Sequence, residues 1–318
     1  MRERGFAAIW RVDPSRYVVY LGFLLILAVF SVVLREDGFL TVGNLVNIVQ
    51  QTTPITIMAV GMVFVLTAGE IDLSIGSVVA LSALVAAVVL RRQGLVPGVL
   101  AGMATGAAIG LVNGWFVTRL RLPSFLVTLA TLGLVAGLAR TITDLQSVPV
   151  TDPWFVAIFG SGRVGPVPVL VVWSAAALAL GHFVYRQTRF GAHVLAIGDS
   201  QSAARVAGIK VDRVRIGVLV LSASCASLAG LLYAGRLQGA RYTLGEADLM
   251  TVIAAVIVGG TRLTGGSGSV PGALIGSLLM GMLNNGLILM GLSVSEQMIV
   301  RGCIILLAVA ISLRQKST

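Results

Sequence analysis

Charged residues are scarce in this sequence: only 11% of its 318 residues are Asp, Glu, Lys or Arg, whereas 57% are hydrophobic. Soluble domains carry roughly 25% charged residues. So few charges cannot cover a water-facing surface of this size, which excludes an ordinary soluble domain and indicates that most of the surface faces lipid. The length accommodates about ten membrane spans of about 20 residues, joined by short loops.

Cysteine and histidine are nearly absent, with two residues of each type. Cys225 and Cys303 both lie inside apolar segments, so they indicate neither a disulfide framework nor a metal cluster and are expected to be small buried side chains. His182 and His193 are isolated, and no nucleophile is paired with a base. We therefore predict no catalytic residue, no metal site and no enzyme activity.

No glycine-rich segment has the surroundings or the lysine that a phosphate-binding loop requires. Residues 160–165 match G-x-G-x-x-G, but no strand–turn–helix unit surrounds them, and neither Lys210 nor Lys316 follows a glycine as a P-loop requires. The chain is not expected to bind ATP or another cofactor itself. Its net charge of +10 does not indicate nucleic-acid binding, because the basic residues flank apolar segments.

Apolar stretches follow one another along the whole chain, which predicts an all-α integral membrane protein with about ten transmembrane helices. They lie near 17–34, 45–68, 75–90, 95–118, 124–140, 167–185, 215–235, 249–262, 270–291 and 296–313. The first is too long for a signal-peptide core and has no small-residue cleavage site before Arg35, so we expect an uncleaved span. The stretch at 249–262 is short and can be broken or tilted.

The positions of Lys and Arg predict the orientation. They cluster in the N-terminal tail, after the fourth span, in the loop 186–214 and at the C-terminus, and such clusters face the cytoplasm. The chain is then a single transmembrane domain, residues 1–318, with cytoplasmic tails at 1–16 and 314–318. With ten spans, the loops 141–166 and 236–248 face outward.

Arg91 and Arg92 fit this orientation poorly, because the short turn that holds them would also face outward. Either the turn is tolerated there, or an early segment is re-entrant.

Glycine recurs every fourth residue in the fourth span, at Gly102, Gly106, Gly110 and Gly114. This spacing places all four on one helix face, which a neighbouring helix can approach closely. Gly272 and Gly276 repeat the pattern in the ninth span. The segments 68–77 and 265–272 each lead into a small-residue span, and this weak echo can mark a repeat or be coincidence.

Glu70 and Asp72 are the most informative acidic residues, because they lie between apolar segments with no basic residue nearby in sequence. An acid at membrane depth is costly and usually functional. They can equally belong to a solvated turn at the inner surface, where Asp72 or Ser74 would cap the next helix.

Further polar residues lie inside apolar spans. Asn113, Asn284 and Asn285 require partners there, either across a helix interface or in a pore. Thr128 and Thr131 share a helix face, and their hydroxyls can line a path or bond back to their own helix.

The loop 186–214 is long and basic, and it contains the signals of a short helix. Ser200 or Asp199 can cap a helix that runs through Val206, and Gly208 can end it. Such a helix would be a rigid knob that fits a groove on a soluble partner, or alternatively a connector lying on the surface.

Five segments occur in the order and spacing of one known family. They read GEIDLSIGS at 69–77, LPSFLVTL at 122–129, the loop from 188 to 209, IAAVIVGGT at 253–261 and GMLNNGL at 281–287. From about residue 40 to 313 the chain resembles the permease subunits of ribose-type ATP-binding-cassette (ABC) importers, a family that also includes xylose and autoinducer-2 permeases.

The resemblance implies a multi-pass protein of the bacterial cytoplasmic (inner) membrane that carries a sugar or similar small polar solute inward. It implies an ABC ATPase subunit, which would bind ATP and magnesium, and a periplasmic or lipid-anchored sugar-binding protein. It also implies a second permease copy, either this chain or a paralogue. The lipid bilayer surrounds the assembly, and no nucleic acid is involved.

We assign candidate residues to these roles. In the loop 186–214, coupling to the ATPase is assigned to Gly191, Ala196, Gly198, Asp199, Ala203, Ala204 and Gly208. The translocation path is assigned to Glu70, Asp72, Ser74, Asn113, Thr128, Asn284 and Asn285. Docking of the binding protein is assigned to Arg241, Glu246 and Asp248.

Two positions depart from the family pattern: Glu70 stands where glycine is expected, and Asp199-Ser200 stands where Gly-Asn is common. The alternative function is an ion-coupled secondary transporter in which Glu70 and Asp72 bind protons or sodium. Against it, acids within the spans are few and the basic loop would have no role.

Overall fold

The computed structural model describes residues 15–314, and the tails predicted at 1–16 and 314–318 lie almost entirely outside that range. The helices are α1 (Ser15–Val33), α2 (Val42–Thr67), α3 (Ile75–Gln93), α4 (Leu95–Arg119), α5 (Ser124–Ile142), α6 (Pro153–Phe159), α7 (Val169–Gln187), α8 (Arg189–Asp199), α9 (Gln201–Val206), α10 (Val211–Leu237), α11 (Asp248–Val258), α12 (Val270–Leu289) and α13 (Val294–Arg314). The strands are β1 (Val148–Pro149), β2 (Arg163–Val164), β3 (Val167–Pro168) and β4 (Gly239–Ala240).

Within residues 15–314, seven helices are long and apolar enough to cross a membrane: α2, α3, α4, α5, α7, α10 and α12. The all-α membrane class is therefore confirmed, whereas ten spans are not. Helices α1 and α13 coincide with the first and last apolar stretches of the sequence.

Helix α11 explains part of the difference from ten spans. It has 11 residues, about 16 Å at 1.5 Å per residue, which is half of a hydrocarbon core roughly 30 Å thick. The loop before it reaches inward, since Gly245 lies against the first turn of α3, where its Cβ position is 2.8 Å from the Gly76 carbonyl oxygen. Helix α11 therefore begins inside the molecule and cannot cross a bilayer alone.

The core forms around α10, which packs against α2, α3 and α4. The predicted glycine face of α4 makes this approach possible. A Cβ atom on Gly106 would overlap the Ser227 hydroxyl of α10, and one on Gly110 would lie 2.7 Å from the backbone of Val220. Close packing of α4 through its glycines is thus confirmed, and Gly276 packs in the same way against the Ala255 backbone of α11.

The connecting segments gather at two ends of the molecule. The end that carries α8 and α9 is called the α8–α9 end, and the other is called the opposite end. At the opposite end β1 pairs antiparallel with β4, with Val148 facing Ala240. This pairing joins the two loops that the sequence predicts to face outward. Strands β2 and β3 form a small hairpin beside them.

Candidate functional site

Helix α2 ends at the α8–α9 end in a glycine-dependent turn. Gly69 adopts φ +77°, the Gly69 amide bonds to the Leu66 carbonyl, and the Glu70 amide bonds to the Val65 carbonyl. These two bonds define a Schellman cap, in which a residue with positive φ satisfies the last carbonyls of the helix. The chain then crosses to α3 through residues 68–74, the α2–α3 turn.

Glu70 has a basic partner that is distant in sequence. Arg215, in the second turn of α10, donates from Nε to Glu70 Oε1 over 2.5 Å, and their side chains are 14% and 3% exposed, respectively. This ion pair ties the α2–α3 turn to the helix that directly follows α8 and α9. The negative charge of Glu70 is therefore compensated by the positive charge of Arg215.

Asp72 is fully buried and accepts three hydrogen bonds. Its Oδ1 accepts from the Ser74 amide (3.0 Å) and the Ser74 hydroxyl (2.6 Å), and its Oδ2 accepts from the Ser222 hydroxyl of α10 (2.9 Å). Asp72 thus holds the start of α3 and bonds to α10. Ser74 is the N-cap residue of α3 but makes no side-chain cap bond itself.

The network continues into α4 and α5. Asn113 of α4 donates to the Ser74 hydroxyl (3.1 Å), and Thr131 of α5 donates to the Asn113 amide oxygen (2.6 Å). Lower on α5, the Thr128 hydroxyl accepts from the Leu73 amide (3.1 Å). The structure therefore brings together five predicted residues, Glu70, Asp72, Ser74, Asn113 and Thr128. They surround the α2–α3 turn, which hydrogen bonds join to α4, α5 and α10.

Asn285 lies apart from this network. It exchanges two hydrogen bonds with Asn44 in the first turn of α2, at 2.9 and 3.0 Å. Each amide is the partner of the other, which joins α12 to α2 in the way expected for buried asparagine in a membrane. Asn284 is half-buried one residue earlier.

The loop 186–214 contains two helices where the sequence predicted one. Helix α9 follows the prediction: the Ser200 hydroxyl accepts from the Ala203 amide, and Gly208 has φ +82° just past the helix end. Helix α8 was missed, although Phe190, Val194 and Ile197 recur at helical spacing. The Thr188 hydroxyl caps it by accepting from the Gly191 amide.

Helices α8 and α9 differ in how they are covered. Gly191, Val194 and Ile197 of α8 are buried, whereas α9 exposes every residue except Ala204. Val206 at the tip of α9 is 91% exposed. A shallow groove beside the tip is lined by Phe190, His193 and Lys210, among others. Val206 was not predicted as a site residue, although a valine at a helix end before Ala-Gly is visible in the sequence.

Helix α8 presses against the end of α2. The Gly266 amide, from the loop between α11 and α12, bonds to the Thr67 carbonyl over 2.9 Å. A Cβ atom on Gly198 would overlap both of these groups. The Thr67 hydroxyl also bonds to the Tyr185 hydroxyl of α7 (3.3 Å). We call Thr67, Tyr185, Gly198 and Gly266 the α2-end contact.

The three residues predicted at the outward loop have different surroundings. Arg241 is exposed. Glu246 is exposed as well and pairs with Arg140 of α5 over 2.6 Å. Asp248 is half-buried and accepts from the Tyr233 hydroxyl (2.7 Å), so it stabilises the start of α11. The exposed Trp154 of α6 lies in the loop joined to theirs by the β1–β4 pair and was not predicted.

The chain matches a known family over most of its length. The sequence profile of the family described as "Branched-chain amino acid transport system / permease component" matches residues 44–309. Ribose import permease protein RbsC of Escherichia coli strain K12 is 37% identical over 313 residues, covering 97% of this chain and 96% of the relative. RbsC of Bacillus subtilis strain 168 is 36% identical, covering 94% of this chain and 92% of the relative.

A third relative is the L-arabinose ABC transporter permease protein AraH of Azospirillum brasilense. It is 35% identical, over 97% of this chain and 89% of the relative. The comparison with solved structures gave no match.

The chain therefore belongs to this family of ABC importer permeases. It is a transport subunit rather than an enzyme, it spans the inner membrane several times, and the ATPase of such a system is a separate subunit. The predicted resemblance is thereby confirmed.

Proposed function

We propose that this chain and a second permease copy together form the channel of an importer for a pentose or similarly small sugar. The relatives reported above, at 35% to 37% identity, are named for ribose and L-arabinose. Amino acids occur only in the description of the wider family. A sugar is therefore the better-supported substrate class.

The α8–α9 end faces the cytoplasm and docks the ATPase subunit through α9. The observation that carries this assignment is Val206, an apolar side chain 91% exposed at the tip of a rigid, capped helix. The basic residues of the loop support a cytoplasmic position, where lipid cannot cover that side chain. Val206 and the neighbouring groove, which Phe190, Ile209 and Val214 help to line, together present apolar atoms that fit a soluble partner.

Transport then proceeds by alternating access. Binding of ATP closes the pair of ATPase subunits, displaces α8 and α9, and reorients the spans. A ligand drives such a change only by binding the two states differently, and here ATP and the loaded binding protein supply that difference.

The opposite end docks the sugar-binding protein. Its two loops form one surface through the β1–β4 pair, and this surface presents Arg241, the Arg140–Glu246 ion pair and Trp154. Aromatic residues and arginine are enriched at protein interfaces, and the rim of an interface is polar. Asp248 contributes by holding the start of α11.

The predicted path residues around the α2–α3 turn are proposed to shape the inner end of the channel. Their burial between α3, α4, α5 and α10 favours this role over direct contact with the solute. The ion-coupled alternative is disfavoured, because Glu70 is paired with Arg215 and Asp72 accepts three hydrogen bonds.

The proposed docking is tested by a pull-down from the native host in mild detergent. Wild-type chain is expected to co-purify a P-loop ATPase and a sugar-binding protein, identified by mass spectrometry. Val206→Asp places a charge at the exposed tip and should reduce the recovered ATPase at least tenfold. Val164→Asp, at an exposed valine of the opposite end, is the matched control. Undiminished ATPase recovery with Val206→Asp would contradict docking through α9.

A further inference from the structure

Helix α8 packs against α10, where Phe190 lies 3.0 Å from the Cβ position of Gly217, and meets the other membrane-spanning helices at three further points. Gly191 lies against the carbonyls that end α7, and Phe190 stacks on Phe64 of α2 with ring centroids 6.1 Å apart. The third point is Gly198, which belongs to the α2-end contact and lies against Thr67 and Gly266. Helix α8 is therefore held at its start by α7, α2 and α10, and at its end by α2 and the loop before α12.

The contact at Gly198 is backbone on backbone. Its neighbours are the Thr67 carbonyl and the Gly266 amide, which bond to each other, and the Cβ position of Gly265 lies 2.7 Å from the Gly198 carbonyl oxygen. Flexible side chains would absorb a displacement by changing rotamer, whereas packed backbones transmit it. No side chain can be added at Gly198 without separating the two segments.

The same contact reaches three further elements. Thr67 is the last residue of α2, and the α2–α3 turn follows directly. Gly266 belongs to the loop that leads into α12, and Tyr185 lies at the end of α7, where its ring packs edge-on against Phe64. A shift of the end of α8 must therefore move the end of α2, the start of α12, or both.

From this geometry we infer that Gly198 is a positioning residue for transport. Its contact with Thr67 and Gly266 is the joint through which displacement of α8 and α9 reaches α2 and α12. The inference rests on the proposed docking of the ATPase to α9 and adds the point of transmission. It separates two tasks: the α9 tip recruits the ATPase, and the α2-end contact passes its motion on.

The experiment measures motion at the far side of the membrane, so that it does not depend on knowing the sugar. Spin labels are attached to cysteines at Val42, at the start of α2, and Val164, in the β2–β3 hairpin, both exposed. Cys225 and Cys303 are replaced by serine. The label-to-label distance in the permease–ATPase complex is recorded by pulsed electron paramagnetic resonance, without nucleotide and with ATP and vanadate.

Wild-type complex is expected to shift its distance distribution when ATP and vanadate are added. Gly198→Ala should keep at least half of the bound ATPase but lose most of that shift. Gly133→Ala is the matched control, because Gly133 is also helical and its Cβ position has open space. Should Gly198→Ala fail to fold, Tyr185→Phe removes only the hydroxyl bonded to Thr67 and is expected to give a reduced shift.

The outcomes separate the inference from the function on which it rests. A full shift in Gly198→Ala or in folded Tyr185→Phe, with ATPase bound, would overturn the α2-end contact as the joint. Loss of ATPase binding in Gly198→Ala would overturn the separation of recruitment from transmission. If the wild-type chain binds no ATPase, or binds it without any shift, the proposed coupling itself fails, and the inference fails with it.

Discussion

Glu70 and Arg215 form an ion pair in a place where charge is expensive. Neither side chain is more than 14% exposed. Removing one partner of a buried pair leaves a charge without compensation, whereas replacing both by apolar residues is often neutral. The pair therefore fixes the position of the α2–α3 turn against α10 more than it adds net stability.

A double-mutant cycle tests this role of the Glu70–Arg215 pair. Glu70→Leu and Arg215→Met should each lower the free energy of unfolding by about 3 kcal/mol, and the double variant should recover most of that loss. The measurement is thermal unfolding of the purified chain in detergent. Additive losses in the double variant would show that the two residues stabilise the protein independently.

Asp72 should be replaceable by asparagine but not by alanine. Asparagine keeps an oxygen for Ser74, and its amide group can donate to the Ser222 hydroxyl. Asp72→Ala leaves buried donors unpaired, at about 1–3 kcal/mol for each group. We expect thermal unfolding to show Asp72→Asn close to wild type and Asp72→Ala well below it. Equal losses would mean that the negative charge itself is required.

At the scale of elements, small residues determine how closely the helices approach. Helix α4 reaches α10 through a face without side chains, and α12 reaches α11 in the same way. A glycine face gains no free energy from contact with lipid, so association of the helices depends on the contacts that their close approach allows.

Gly106→Val should consequently prevent folding, because its side chain would enter the space of Ser227 and the Ala223 carbonyl. We expect a loss of about 3 kcal/mol or more and little folded protein in fluorescence-detected size-exclusion chromatography. Gly133→Val, on α5 with open space around the Cβ position, is the control and should accumulate normally. Similar yields for the two variants would contradict the close α4–α10 packing.

Gly208 ends α9 and is needed for its conformation rather than for space. Its φ is +82°, but nothing lies within 4 Å of its Cβ position. A β-branched residue there is strained by about 1–3 kcal/mol, enough to unwind a short helix. Gly208→Val should leave the spans folded and reduce ATPase recovery in the pull-down. Full recovery would show that the α9 end is not part of the docking surface.

For the whole molecule, the two ends carry different chemistry. The α8–α9 end carries the basic loop, which predicts a cytoplasmic position. Arg91 and Arg92 lie in the last turn of α3, at the far end from the α2–α3 turn. With the α8–α9 end in the cytoplasm, these two arginines face outward, against the rule that basic residues face the cytoplasm. Helix α3 ends at Gln93 and α4 begins at Leu95, so the two arginines lie beside a one-residue turn between two spans.

This orientation is testable with single cysteines in a chain lacking Cys225 and Cys303. Gln93→Cys, next to the two arginines, should react with a membrane-impermeant maleimide in spheroplasts, and Ala203→Cys should react only after lysis. Both positions are exposed. The reverse pattern would mean that the α8–α9 end faces outward, where it cannot contact a cytoplasmic ATPase.

The sequence itself determined the membrane class, the glycine face of α4, the capped helix α9 and the family. Each follows from neighbouring residues, from composition or from ordered motifs along the chain. It did not determine the number of spans, because apolar character alone cannot show that α11 begins inside the protein. Helix α8 was missed although its apolar residues recur at helical spacing, and only its packing against α2, α7 and α10 shows which face is buried.

Only the tertiary structure decided what the polar residues do. Glu70 is 145 residues from Arg215 in the chain, and Asp72 is 150 residues from Ser222. No local pattern could pair them, because the distance between such residues depends on how α10 packs beside α2 and α3. The same packing places Gly198 against Thr67 and Gly266. The sequence predicted Gly198 only as a coupling residue, and this contact is the basis for proposing that it transmits motion. Composition and spacing establish the membrane class and the apolar segments, whereas helix packing decides how an apolar segment such as α11 is placed and which buried groups meet.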